Sequence, residues 1–181
     1  MGVFASSGQV PPLADYADTI APYDGRLLID ESHAFGVVGA NGRGAAEFCG
    51  VERTAMVGAT LGKAFCAQGA VVACSRLTAT LLRKRPPIRG AFAGSPLSAA
   101  AAAAAMKYSF RYPEMRVHLR MMADYLRMRL RALGLQVVDT PAPIVSFTSG
   151  SRADMLALQQ RAWQRAGSRS EERRVGKECR S

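Results

Sequence analysis

Two short stretches of this chain hold side chains that could share one reaction. In Asp30-Glu31-Ser32-His33-Ala34 a carboxylate closes an apolar run and an imidazole follows it at close range. A carboxylate at a strand end can keep a heteroaromatic ring nitrogen protonated, and an imidazole one short loop away can hydrogen-bond the same ring. The second stretch is Thr60-Leu-Gly-Lys63-Ala-Phe65. A lysine on a glycine-flanked turn can lose solvent, which favours the neutral amine that attacks a carbonyl to form an imine. Thr60 adds a hydroxyl able to bind phosphate. Each stretch alone has a plainer reading. Acids and histidines at strand ends often only cap helices or line loops, and a lone Thr-x-Gly-Lys resembles part of a nucleotide phosphate loop. The full GxxxxGK[ST] pattern is not met, because Gly58 lies too close to Lys63 and Ala64 stands where a hydroxyl would hold magnesium.

The surrounding pattern predicts the elements that would carry these residues. Arg26 to Asp30 reads as a buried strand, Ala55 to Thr60 as a second and Gly69 to Ser75 as a third. Pro11 to Tyr23 reads as a helix closed by an Asp24-Gly25 turn, and glycines 36, 39, 42 and 44 keep the chain in a loop after Asp30. Arg76 to Arg85 is expected to be a helix stopped by Pro86-Pro87, and Ala91 to Gly94 a brief strand or connector. The alanine-rich run Ser98 to Phe110 is read as a packed helix. A long amphipathic helix follows Tyr112-Pro113 and ends near Leu133 at Gly134. Two short strands, Gln136 to Asp139 and Ile144 to Thr148, and a helix from Arg152 to Arg165 complete the pattern. Strands alternating with helices imply an α/β chain with a mostly parallel sheet flanked by helices. A boundary is expected near Pro113, dividing residues 1–112 from a smaller α+β unit that begins in 113–168.

Composition narrows the function classes. The formal charge is +10, but much of it lies on Lys107 to Arg131, where arginines alternate with apolar residues in the manner of a solvated helix face. No recognised nucleic-acid motif is present, so a nucleic-acid partner is not expected. Cys49, Cys66, Cys74 and Cys179 form no CxxC pair and show no histidine spacing suited to a metal, and they are read as buried free thiols. No run is apolar enough for a membrane span, so a cytoplasmic setting is expected. His118 reads as a surface residue. Met115, Met121, Met122 and Met128 read as core or dimer packing, and Trp163 as packed against the small sheet. The tail Arg169 to Ser181 looks like the translation of a sequencing adapter and is set aside from the fold.

Taken together and in order, the motifs resemble a family. Ile29-Asp30-Glu-Ser-His33-Ala-Phe-Gly36-Val-Val-Gly39-Ala-Asn-Gly42-Arg-Gly44 is similar to [VI]-D-[DE]-[AS]-H-x-x-G-x-x-G-x-x-G-R-G. Thr60-Leu-Gly-Lys63-Ala-Phe is similar to T-[LF]-G-K-[AG]-[FL], and Phe92-Ala-Gly-Ser95-Pro-Leu-Ser-Ala99 to F-S-[TN]-S-x-x-P-A. These are the motifs of the α-oxoamine synthases, and the likeness runs from Gly2 to Gly167. It implies an internal piece of a homodimeric, fold-type-I transferase that uses pyridoxal 5'-phosphate to condense an amino acid with an acyl-CoA thioester. By the same resemblance Lys63 forms the internal aldimine, Asp30 pairs with the pyridine nitrogen and His33 contacts the ring hydroxyl. Thr60 binds the phosphate, and Ser95 reaches the phosphate held by the neighbouring subunit. Details at Ser32-His33-Ala34 and Glu47-Phe-Cys49 lean toward the 2-amino-3-ketobutyrate CoA ligase branch, with the 8-amino-7-oxononanoate synthase branch close behind. An aminotransferase on the same fold and a basic, noncatalytic binding protein are the competing readings. Three positions depart from the pattern: Ala5 replaces a serine near the ring hydroxyl, Cys66 a glycine, and Gly94 a hydroxyl- or amide-bearing residue.

Overall fold

The computed structural model describes residues 1–89 and 94–178, with the side chains of residue 87 and of 167–178 left aside. Its centre is a three-stranded sheet in the order β1 (Leu27–Asp30), β2 (Ala55–Thr60), β3 (Ala70–Ala73). β1 and β2 run parallel, with Ile29 beside Val57 and Asp30 beside Gly58. The expectation of a mostly parallel sheet is corrected at β3, which pairs antiparallel with β2. Residues 61–69 carry the chain from β2 into β3, a connection shorter than the crossover that a parallel neighbour needs. The parallel pair β1 and β2 is instead joined by a long crossover through the glycine loop and a short helix, α1 to α2 in chain order being Leu13–Ile20 and Ala45–Phe48.

Among the described residues the larger of two buried clusters includes Ile29 of β1. It is formed by Val3, Leu13, Ile29, Ala34, Val38, Ala45, Ala46, Val51 and Ala142. The residues after Met1 are drawn in because the Gly2 amide donates to the Asp30 carbonyl at 2.7 Å. α1 begins directly after Pro11-Pro12, buries Leu13 against this core and passes into a 3-10 turn, Ala21–Tyr23. Asp24 then takes a left-handed conformation with φ 51°, closing the expected turn.

α3 (Arg76–Arg83) is capped by Ser75, whose hydroxyl accepts from the Thr78 amide at 3.1 Å. The proline pair interrupts it, and a further short helix, α4 (Pro86–Arg89), follows where only a stop was expected. Of the expected connector at Ala91 to Gly94, residues 91–93 lie outside the described residues. α5 (Pro96–Arg111) and α6 (Glu114–Ala132) form the long helical pair, broken at Tyr112-Pro113 as the sequence suggests. Gly134, at φ 79°, ends α6. β4 (Gln136–Val137) and β5 (Phe147–Thr148) are shorter than expected and pair antiparallel, and α7 (Arg152–Glu178) continues well past Arg165 into the tail segment set aside from the sequence.

Several side-chain expectations are corrected. Arg116 and Arg127 are buried, although they sit on the helix read as a solvated basic face. Arg127 donates to Asp124 at 2.6 Å and to the Ala142 and Ile144 carbonyls, so it fastens α6 to the segment between β4 and β5. Arg116 donates to the Ser109 carbonyl at 2.8 Å, tying α6 to the last turn of α5. A guanidinium carries enough fixed donors to link several carbonyls at once, and a helical pattern does not reveal which arginine will do so. Conversely Met115, Met121, Met122, Met128 and Trp163 are exposed in this chain. Cys66 and Cys74 are exposed free thiols and Cys49 is half-buried, so the expectation of buried cysteines is corrected at two of them. Among the described residues no helix is long and apolar enough to cross a membrane.

Candidate active site

The carboxyl ends of β1 and β2 lie side by side, which is where open α/β sheets bind ligands. Asp30 is the last residue of β1 and Thr60 the last of β2, and each is followed by a turn that carries a second functional group. After Asp30 the Ala34 and Phe35 amides both donate to the Glu31 carbonyl at 2.8 Å, coiling the chain tightly around His33. After Thr60 the Ala67 amide returns to the Leu61 carbonyl at 3.0 Å, and Lys63 stands at the tip of the loop so closed.

The two turns interlock. The Phe35 and Phe65 rings meet at 4.9 Å between centroids and are tilted by 60°, a favourable edge-inclined contact. Gly36 sits at φ 90°, and a Cβ placed on it would lie 2.7 Å from the Ala64 Cβ. Glycine there both accepts the backbone conformation and lets the lysine turn come close. The outcome is a direct contact: Lys63 Nζ lies 2.8 Å from His33 Nε2. An ammonium Nζ donates to a bare Nε2, and a neutral amine accepts from an Nε2–H, so a proton can pass along this contact in either direction. Lys63 itself is exposed, which corrects the expectation that its turn would strip it of solvent; His33 is half-buried.

Asp30 is joined to Thr60 through Ser32, a residue the sequence reading did not single out. The Ser32 amide donates to Asp30 Oδ1 at 2.9 Å, while the Ser32 hydroxyl accepts from the Thr60 amide at 3.0 Å. The Ser32 hydroxyl and amide hold the Asp30 carboxyl below the ordinary carboxylate range, with a smaller contribution from the Lys63 charge. Asp30 is thus kept as an anion at an exposed strand end. Thr60 donates through Oγ1 to the Gly69 carbonyl at 3.3 Å and accepts from the Gly62 amide at 3.3 Å. Its hydroxyl shapes the lysine turn as well as facing the site. Ser95 is used locally: its hydroxyl accepts from the Ser98 amide at 3.3 Å and caps α5. The structure therefore gathers Asp30, His33, Thr60 and Lys63 at the carboxyl ends of β1 and β2, with Ser95 at the start of a separate helix.

Glu31 was also missed. It is 1% exposed, and its two carboxylate oxygens accept from the Ala45 and Ala46 amides at 2.9 and 2.7 Å. Burial pushes its carboxyl above the ordinary range against the pull of those two amides. The side chain ties the Asp30 strand end to the start of α2. Gly44, at φ 110°, is pressed against it, since a Cβ there would lie 2.6 Å from the carboxylate. The signal available in sequence was the second acid of the Asp-Glu pair, but its partner amides lie far along the chain.

Cys66, where the family motif carries glycine, keeps a left-handed backbone at φ 49°. A cavity of about 390 Å³ lined by Arg26, Arg43, Arg53 and Ser75 lies at the opposite end of the strands, so concavity alone does not locate this chemistry. Among the described residues no group of three or more His, Cys, Asp or Glu is placed to hold a metal ion.

The aminotransferase class I and II family pattern matches residues 1–168. The chain is 36% identical over 167 residues to the 8-amino-7-oxononanoate synthase of Anaeromyxobacter dehalogenans (strain 2CP-1), covering 89% of this chain and 42% of that enzyme. It therefore spans less than half of that curated relative. The crystal structure of 8-amino-7-oxononanoate synthase from Francisella tularensis matches with a TM-score of 0.76 at 26% identity, covering 91% of this chain and 49% of that one. A structure of SPT, serine palmitoyltransferase, with PLP as its internal aldimine, matches with a TM-score of 0.77 at 25% identity, covering 84% of this chain and 39% of that one.

Proposed function

We propose, for a chain that belongs to the aminotransferase class I and II family and within it to the α-oxoamine synthases, that its parent protein is a pyridoxal-5'-phosphate-dependent acyltransferase. Its reaction condenses an amino acid with an acyl-CoA thioester to give an α-oxoamine. The observation that carries this reading is the Lys63 to His33 contact of 2.8 Å beside an ionised Asp30, all at the carboxyl ends of adjacent parallel strands.

The donor set fits the cofactor. It contains a primary amine exposed to an incoming aldehyde, an imidazole beside it, an anionic carboxylate at the adjoining strand end and a hydroxyl for a phosphate. When bound, pyridoxal 5'-phosphate supplies an electron sink that spreads the charge of a carbanion next to the amino group. Lys63 holds the cofactor through Nζ and afterwards takes and returns a proton there. Asp30, fixed by Ser32, holds a proton on the ring nitrogen. His33 contacts the ring hydroxyl, Thr60 the phosphate, and Ser95 the phosphate in the partner subunit of a homodimer. Residues 1–112 belong to the cofactor-binding domain, and 113–168 begin a smaller one. The named synthase relatives shift the preference from the ligase branch, read from Ser32-His33-Ala34, toward the 8-amino-7-oxononanoate synthase branch. The setting proposed for the enzyme is cytoplasmic.

The test is borohydride reduction of the protein after incubation with pyridoxal 5'-phosphate. A phosphopyridoxyl mass is expected on the Lys63 peptide and is absent from Lys63→Ala. A wild-type protein that takes the label on other lysines and not on Lys63 removes this reading.

A further inference from the structure

We infer that His33 is the acid–base group for making and breaking an imine at Lys63, a task distinct from any contact with a bound ring. The inference rests on the proposed site, but its geometry needs no cofactor. Lys63 Nζ and His33 Nε2 are 2.8 Å apart. The Phe35 and Phe65 contact and the close approach of Ala64 to Gly36 hold the two turns at that spacing. The imidazole is half-buried while the amine is exposed, so an aldehyde reaches Nζ from solvent with the base behind it.

The step balances without any further reactant. Lys63 begins as an ammonium with three protons and ends as a protonated imine with one. His33 takes the first proton, and the freed lone pair attacks the carbonyl carbon, forming the C–N bond as the carbonyl π pair moves to oxygen. The imidazolium returns that proton to the oxygen. A second proton follows the same route from nitrogen through Nε2 to the hydroxyl group. The C–O bond then breaks with its electron pair, water leaves with both protons, and the nitrogen lone pair completes the C=N bond. His33 is neutral at the end, and the reverse sequence releases the amine. A group within hydrogen-bond reach of the nitrogen is what such proton transfers require.

The experiment uses formaldehyde with cyanoborohydride, which methylates amines through the same imine step and needs no cofactor. Peptide mass spectrometry follows Lys63 against Lys84 and Lys107, which are exposed in the same chain. Lys63 is expected to outpace both in the wild type. His33→Asn keeps a hydrogen-bonding group but cannot take up and return a proton, and it should slow Lys63 by at least about tenfold with Lys84 and Lys107 unchanged. In His33→Ala, added imidazole should restore much of the lost rate, a rescue that a merely structural histidine would not show. Equal Lys63 rates in wild type and His33→Asn overturn the inference, and so does a loss in His33→Ala that imidazole leaves untouched. Failure of the phosphopyridoxyl label at Lys63 would instead remove the cofactor reading while leaving this result standing.

Discussion

The loop between β1 and β2 and the helix α6 solve the same problem in opposite ways. The loop, rich in glycine and alanine, buries Ala34, Val38, Ala45 and Ala46 together with the Glu31 carboxylate. α6 leaves Met115, Met121, Met122, Leu126 and Met128 exposed and relies on two buried arginines to join it to its neighbours. The loop's order comes from close backbone approach, and that of the helix from its own hydrogen bonds plus a few long polar links. A segment read as loop is therefore the more tightly specified of the two, and the functional groups are attached to it.

Substitutions should separate the two modes. The largest effect is expected at Gly44→Ala, where a methyl group meets the Glu31 carboxylate in a left-handed backbone. A loss of about 3 kcal/mol or more, or failure to fold, is expected in urea denaturation. An effect below about 1 kcal/mol would show that the loop yields easily. Arg127→Ala should cost about 2–4 kcal/mol, because it leaves the Ala142 and Ile144 carbonyls without their donor inside the cluster. A thermal melt equal to wild type would remove the polar link from this account.

Acidity tests the loop from another side. Burial pushes the Glu47 carboxyl up, but hydrogen bonds from Arg43 and Asn41 together outweigh it and hold it below its ordinary value. A depressed folded pKa contributes stability above the unfolded value that is lost as pH falls. Glu31 is raised, so its contribution has the opposite sign, present at low pH and lost as pH rises through its folded value. Thermal midpoints measured across the acid range should thus fall less steeply on acidification in Glu47→Gln than in wild type. The smallest effect is expected at Met122→Gln on the exposed face of α6, within about 0.5 kcal/mol in this chain. A larger loss would mean that this face packs against something in solution.

Much of the architecture could be read from pattern alone. Apolar runs ending in Asp30 and Thr60 marked the two strand ends, and proline and glycine marked the limits of α1 and α6. Strand direction could not be read, because alternation says nothing about which way β3 runs. Ser32 and Glu31 escaped because each acquires its role from amides distant in sequence, Thr60 for one and Ala45 and Ala46 for the other. Arg116 and Arg127 were misread because a basic residue on a helix looks solvated until its carbonyl partners are known. Trp163 failed the other way, and of the two roles expected for the methionines only core packing is contradicted, since helical spacing shows that a face is apolar but not what covers it.

The contact between Gly36 and Ala64 has a mechanical consequence. It acts as a bearing of zero thickness, so the gap between Lys63 Nζ and His33 Nε2 is set by an atom that is not there. Inserting a single methyl group at Gly36 would work as a spacer, wedging one turn from the other with every reactive side chain still in place. The tolerance of the site is therefore governed by a position that carries no chemistry of its own.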